Sequence, residues 1–253
     1  MIFSPAERLL RELGVTEPEE IDVEAIAYYL NASVRIRSLG GCEAHIVGVD
    51  DRAIITVNAH SSHRRQRYSI AHELGHWHHH RGKQLACRAE DYQPDNPLST
   101  ERVADSFAAD LLMPNYLFHP LSREHAKCNF QTIDALADEF DTSRTATAIR
   151  LVESDHSPAM LVCHGPNGRK WFTRARSVPH KWFPQDTLDH ESFAFDILFG
   201  DDRNSPFPRK IGADAWFDRH DASRFELLEQ TIRIRSDEIL TLLLFTDSES
   251  LED

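Results

Sequence analysis

Two histidines four residues apart, His72 and His76, with Glu73 beside the first, constrain this chain more than any other stretch. On an α-helix, side chains at i and i+4 stack on one face about 6 Å apart along the axis, so both imidazoles reach one metal ion. Glu73 stands next to the first ring, placed to take a proton from a water that zinc can acidify to a pKa of about 7. This chemistry requires a helix, and the neighbouring residues support one. Ile70, Leu74 and Trp77 recur at i, i+4 and i+7 as an apolar stripe opposite the polar one. Gly75 inside such a helix costs about 1 kcal/mol against alanine, which implies a neighbour packed too close for a side chain.

A helix with two surface histidines would show the same five residues, so the deciding question is the third ligand. A structural zinc site fills four protein positions, whereas a hydrolytic one uses three and leaves the fourth for water. The extended pattern with a glycine three residues after the second histidine and a histidine three further on is excluded, because His79 and Gly82 occupy those places. A carboxylate from a later helix is the other route. Residues 101–114 read as that helix, capped by Ser99 or Thr100 and ended by Pro114, with Val103, Phe107, Leu111 and Met113 toward a core. Glu101 and Asp105 share another face at i, i+4. Glu101 is assigned to the metal. Asp105 is placed behind it, accepting a hydrogen bond from the distal nitrogen of a liganding histidine and fixing its tautomer. Asp110, Glu90, Asp91 and Asp95 are weaker candidates, since none sits on a comparable helical face. Zn2+ suits this donor set, although nitrogen and carboxylate ligands also admit Mn2+ or another divalent ion.

The run from Arg67 to His76, followed by Glu101-x-x-x-Asp105-x-Phe107-Ala108 and Leu111-Leu112-Met113-Pro114, resembles the ImmA/IrrE family of zinc metallo-endopeptidases. The resemblance implies a zincin-like domain in which His72, His76 and Glu101 bind zinc and Glu73 is the general base. It also implies limited proteolysis of a helix-turn-helix repressor of the XRE type, relieving repression of stress-response or mobile-element genes. A non-catalytic regulator that binds and sequesters a repressor is the alternative, although it would have no need of Glu73.

The expected fold class is α+β, with 253 residues and 41% apolar content sufficient for two compact units. Three segments are expected: a zincin-like domain over 1–121, helix-turn-helix-like helices over 122–155, and an α/β domain over 156–253. Resemblance to longer family members makes the last of these GAF-like, a sensor for a small molecule or an interaction module. No run of 18 apolar residues occurs and no signal peptide is evident at the start, so a cytoplasmic location and no membrane partner are expected. Cys42, Cys87, Cys128 and Cys163 are widely spaced and read as free thiols. A net charge of −13 argues against direct DNA binding and suits a basic partner.

Along the chain, Pro5–Leu13 and Val23–Leu30 read as helices, the second capped by Asp22. Val34–Arg37 reads as a strand, and 45–49 with 53–57 as a hairpin about Asp50-Asp51 whose edge could receive an extended peptide. His60, His63, Arg64, Arg65 and Arg67 are expected between hairpin and helix, with His78, His79 and His80 after it, as solvated residues. One of these histidines, or Tyr92, Tyr116 or His119, is a candidate for stabilising an oxyanion. Residues 84–99 read as a loop. Helical spacing resumes at Ile133, Leu136, Ala137 and Phe140, breaks at 141–143, and continues through Ala146, Ile149 and Val152, with Arg144 and Arg150 facing outward in an acidic region. Beyond residue 155 the expectations are a hairpin about Pro166-Asn167-Gly168, a helix over 191–199, a loop over 205–208, and strands over 225–235 and 239–245.

Overall fold

A computed structural model describes residues 2–80, 85–86, 100–200 and 203–252. Among them are eight α-helices and two sheets, the expected α+β class. The chain divides into two compact units, Met1–Pro120 with Ala137–Ser143, and Leu121–Leu136 with Arg144–Asp253. No helix among the described residues is long and apolar enough to cross a membrane.

The first unit opens with α1 (Pro5–Glu12), whose N-terminus is closed reciprocally: the Ser4 hydroxyl accepts from the Glu7 amide and the Glu7 carboxylate accepts from the Ser4 amide. In α2 (Val23–Tyr29) Asp22 caps the start, as its position before an apolar run predicts. Strands β1 (Ala32–Arg37), β2 (Ala44–Val49), β3 (Arg52–Asn58) and β4 (Leu85–Ala86) form a sheet in the order β1-β3-β2-β4. The β2–β3 pair is the expected hairpin, with Asp50 in the left-handed conformation at its turn (φ 57°). The expected free edge needs correction for half of that hairpin. Strand β3 is interior, held parallel by β1 on one side and antiparallel by β2 on the other. Strand β4 meets only Val47 and Gly48 of β2, so among the described residues Ala44–Ile46 is the part of the hairpin with an unpaired outer edge.

The long helix α3 (His63–His80) crosses this sheet. It begins nine residues before His72 and absorbs His63, Arg64, Arg65 and Arg67, and it continues through His78 to His80. The reason for the early start lies in α6 (Phe130–Glu139) and the turn after it. His63 Nε2 lies 2.9 Å from Asp141, Arg64 reaches Asp138 at 2.6 Å, and Arg67 approaches Asp141 at 3.4 Å, so charges that resemble a solvated linker are anchored helix residues. Ile70, Leu74 and Trp77 are buried as their spacing predicts, and the Trp77 indole N–H donates to the Leu30 carbonyl at 2.8 Å. Across from α3 lies α4 (Thr100–Leu112), with Phe107, Leu111 and Leu112 in the core and Met113 buried just beyond its end. Val103, expected in the core, is only half-buried; Ala104 takes that place because the face turned to α3 must be small. The expected loop over 84–99, with Tyr92, Glu90, Asp91, Asp95 and the cap Ser99, lies outside the described residues apart from β4.

Helix α5 (Asn115–Glu124) links the units, and α6 and α7 (Arg144–Glu153) form the expected pair about a turn at 141–143, where Asp141 takes φ 48°. The packing face of α7 is Thr147, Ala148, Leu151 and Val152; of the expected Ala146, Ile149 and Val152, Val152 is buried and the other two are half-buried. Arg144 is ion-paired with Asp134 and is not a free phosphate contact.

The second unit is built on a five-stranded antiparallel sheet in the order β6-β5-β9-β8-β7. Its strands are β5 (Ala159–Gly165), β6 (Gly168–Arg174), β7 (Arg209–Gly212), β8 (Glu226–Arg235) and β9 (Glu238–Phe245), and α8 (Phe193–Phe199) packs on β8 and β9. The β5–β6 and β8–β9 hairpins match the expectation from sequence, as does α8, which Ser192 caps. Strand β7 was not expected, because Arg209-Lys210-Ile211-Gly212 has one apolar residue and no alternation. Every residue of β5 is buried, so the sheet is covered on both faces at that strand.

Candidate metal centre

Helices α3 and α4 approach each other so closely because Gly75 and Ala104 face one another. A Cβ built on Gly75 would lie 2.8 Å from the Ala104 Cα and 3.0 Å from its carbonyl oxygen. The expected close neighbour of Gly75 is therefore the α4 backbone. That contact brings Glu101, one turn before Ala104, and Asp105, immediately after it, against the histidine face of α3.

His72, His76 and Glu101 offer ligand atoms that all lie within 4.8 Å of one another. The two Nε2 atoms are 3.1 Å apart, and the Glu101 carboxylate sits 3.2 Å from His72 Nε2 and 3.3 Å from His76 Nε2. His76 is 3% exposed on its side chain and the other two 18%, so the cluster is walled by protein yet reachable. Behind it, Asp105 Oδ1 accepts from His72 Nδ1 at 2.9 Å. That bond holds the ring in the tautomer with its proton on Nδ1, which leaves the Nε2 lone pair directed at the cluster. Two imidazoles and a carboxylate that converge in this way could hold a divalent metal ion.

The electrostatics follow from burial. Desolvation alone would lower the His72 pKa, but the hydrogen bond and charge of Asp105, with Glu73 and Glu101, raise it above its ordinary value. Burial raises the Asp105 carboxyl, and the bonds from His72 and Tyr68 overcome this and hold it below the usual range. Glu73 is 6% exposed, its Oε2 has no hydrogen-bond partner, and burial pushes its pKa up to about 7, with Glu101 adding to the rise and His72 opposing it.

Compared with known proteins, residues 27–152 match the family model of the IrrE N-terminal-like domain, Peptidase M78. The chain belongs to the ImmA/IrrE family. This makes it a metallopeptidase-type protein, with the three-residue cluster inside the matched segment. No curated protein sequence matches the chain. Among solved structures, a Mycobacterium tuberculosis transcriptional regulator superposes with a TM-score of 0.58 at 13% identity, over 97% of this chain and 87% of that one, a likeness of fold.

For this IrrE-like chain, the other histidines do not join the cluster among the described residues. His63 pairs with Asp141, His60 bonds the Ser38 hydroxyl at 3.0 Å, and His78 stacks on Phe107. Tyr116, a candidate for the oxyanion, donates instead to the Val15 carbonyl at 2.8 Å. Cys42, Cys128 and Cys163 are free thiols, and burial raises Cys128 to about 12 and Cys163 to about 11, so both stay protonated. Cys87 lies outside the described residues. Spacing did not single out Tyr68, whose hydroxyl donates to Asp105 Oδ1 at 2.6 Å. Its place one turn before His72 was the available signal.

Proposed function

We propose that this chain is a zinc-dependent endopeptidase that makes a limited cut in a helix-turn-helix repressor of the XRE type and so relieves repression of stress-response or mobile-element genes. The observation that carries the proposal is the convergence of His72, His76 and Glu101 beside the buried carboxylate of Glu73. The donor set fits zinc, with Mn2+ or another divalent ion as the substitute. A metal held by these three residues would supply an acidified water and a polarised scissile carbonyl.

The chain's own residues do the rest. His72 and His76 present neutral Nε2 lone pairs, Asp105 keeps the first of them oriented, and Glu101 contributes the negative charge. Glu73 accepts the proton that leaves the attacking water and returns it to the departing amine nitrogen. Among the described residues the outer edge of β2 at Ala44–Ile46 has no strand partner, and its backbone groups could receive an extended substrate as an added strand. An acidic molecule of net charge −13 favours a basic, DNA-binding partner. The second unit, with its antiparallel sheet, is assigned a GAF-like sensing or interaction role, and the cytoplasm is the location in which a repressor would be met.

The test is incubation with the helix-turn-helix protein encoded nearby, with and without chelator, read by mass spectrometry. Glu73→Gln keeps the metal and loses cleavage by a factor of about 10²–10⁴ or more, whereas His72→Ala loses both. Cleavage by Glu73→Gln at the wild-type rate rules out the assigned base. A stable metal-loaded complex with no cleaved fragment favours the sequestering regulator.

A further inference from the structure

Asp105 holds His72, yet its own side chain is 46% exposed, so water competes for the carboxylate that orients the ring. A carboxylate in that position can swing into solvent and release the imidazole. Two donors meet on a single oxygen, Oδ1: His72 Nδ1 at 2.9 Å and the Tyr68 hydroxyl at 2.6 Å. The tyrosine is fixed in turn. It lies one helical turn before His72 on α3, with ring centroids 6.2 Å apart, and the Arg65 guanidinium sits over its ring at 5.4 Å. The hydroxyl has one proton, and it is spent on Asp105, so Tyr68 as it stands is not an oxyanion donor.

We infer that Tyr68 is a positioning residue for the metal centre: it clamps Asp105 so that the carboxylate keeps the His72 ring in its metal-accepting tautomer and orientation. The chain of contacts runs from Tyr68 to Asp105 to His72, and its far end is a nitrogen aimed into the cluster. This inference rests on the metal reading above and adds a residue to it.

The test is metal affinity, measured by competition with a chromogenic chelator and by the visible absorption of the Co2+-loaded protein. The comparison covers wild type, Tyr68→Phe, Asp105→Ala and the double variant. Tyr68→Phe removes only the hydroxyl; it is expected to weaken metal binding about tenfold, the lower end for a group that supports a ligand, and to alter the Co2+ spectrum while metal-free thermal unfolding stays unchanged. In the Asp105→Ala background the same substitution is expected to cost nothing, because the carboxylate through which it acts is gone. Equal affinity of Tyr68→Phe and wild type overturns the inference, as does an undiminished tenfold loss in the Asp105→Ala background, which would mark a purely structural role. Failure of wild type to bind Zn2+ or Co2+ overturns the metal reading itself and the inference with it, an outcome distinct from the other two.

Discussion

A buried ionisable side chain expresses its environment as a pH dependence, and His164 in β5 is such a group. It is 1% exposed. Burial pulls its pKa down to about 4, Arg169 pushes the same way, and the Gln185 and Asp186 backbone with the Asp186 charge oppose both. The folded state therefore keeps the ring neutral, whereas the unfolded chain protonates it near 6.5. The stability this gives is fully present above pH 6.5 and is lost as the pH falls from 6.5 toward 4, a loss on the order of 3 kcal/mol. Thermal unfolding followed at pH 7 and pH 5 should show a smaller acid-induced drop for His164→Leu than for wild type; equal drops would contradict the assignment. At this scale the sequence was most informative about the metal centre. His72, His76, Glu101 and Asp105 were legible because helical spacing fixes which residues share a face. Tyr68 was not, because a tyrosine one turn from a histidine packs far more often than it bonds, and only the position of Asp105 distinguishes the two.

Between helices, the determining feature is the absence of a side chain. Gly75 lets the α4 backbone approach α3 until Glu101 reaches both histidines, so the His72–His76–Glu101 cluster depends on a contact that contains none of its members. Gly75→Ala places a methyl group 2.8 Å from the Ala104 Cα, and backbone rather than a flexible chain end must move. Overpacking of this kind costs about 1–3 kcal/mol, and the displacement carries Glu101 away from the imidazoles. The expected result is a lowered unfolding temperature together with weakened metal binding, read by calorimetry and chelator competition. A stable variant with wild-type affinity would show that the helices can separate without opening the cluster. Hairpins and helices with strong punctuation, such as Asp22 before α2 or Asn167-Gly168 between β5 and β6, were readable locally. Strand order was not, since the parallel pairing of β1 with β3, and thus the interior place of β3, depends on contacts distant in sequence. Strand β7 escaped for a different reason: its four residues lack alternation and are held by pairing with β8.

For the molecule as a whole, the family model covers residues 27–152, with His72, His76 and Glu101 in the first unit and the five-stranded sheet in the second. The clustered side chains and the family bear on the same question, whether one ion sits among His72, His76 and Glu101. The most direct measurement is anomalous diffraction from crystals of the zinc-loaded protein, collected on either side of the zinc absorption edge. The account predicts a single strong peak within coordination distance, about 2.0–2.2 Å, of His72 Nε2, His76 Nε2 and a Glu101 carboxylate oxygen. A peak elsewhere, or none at that position with the protein saturated, would contradict it.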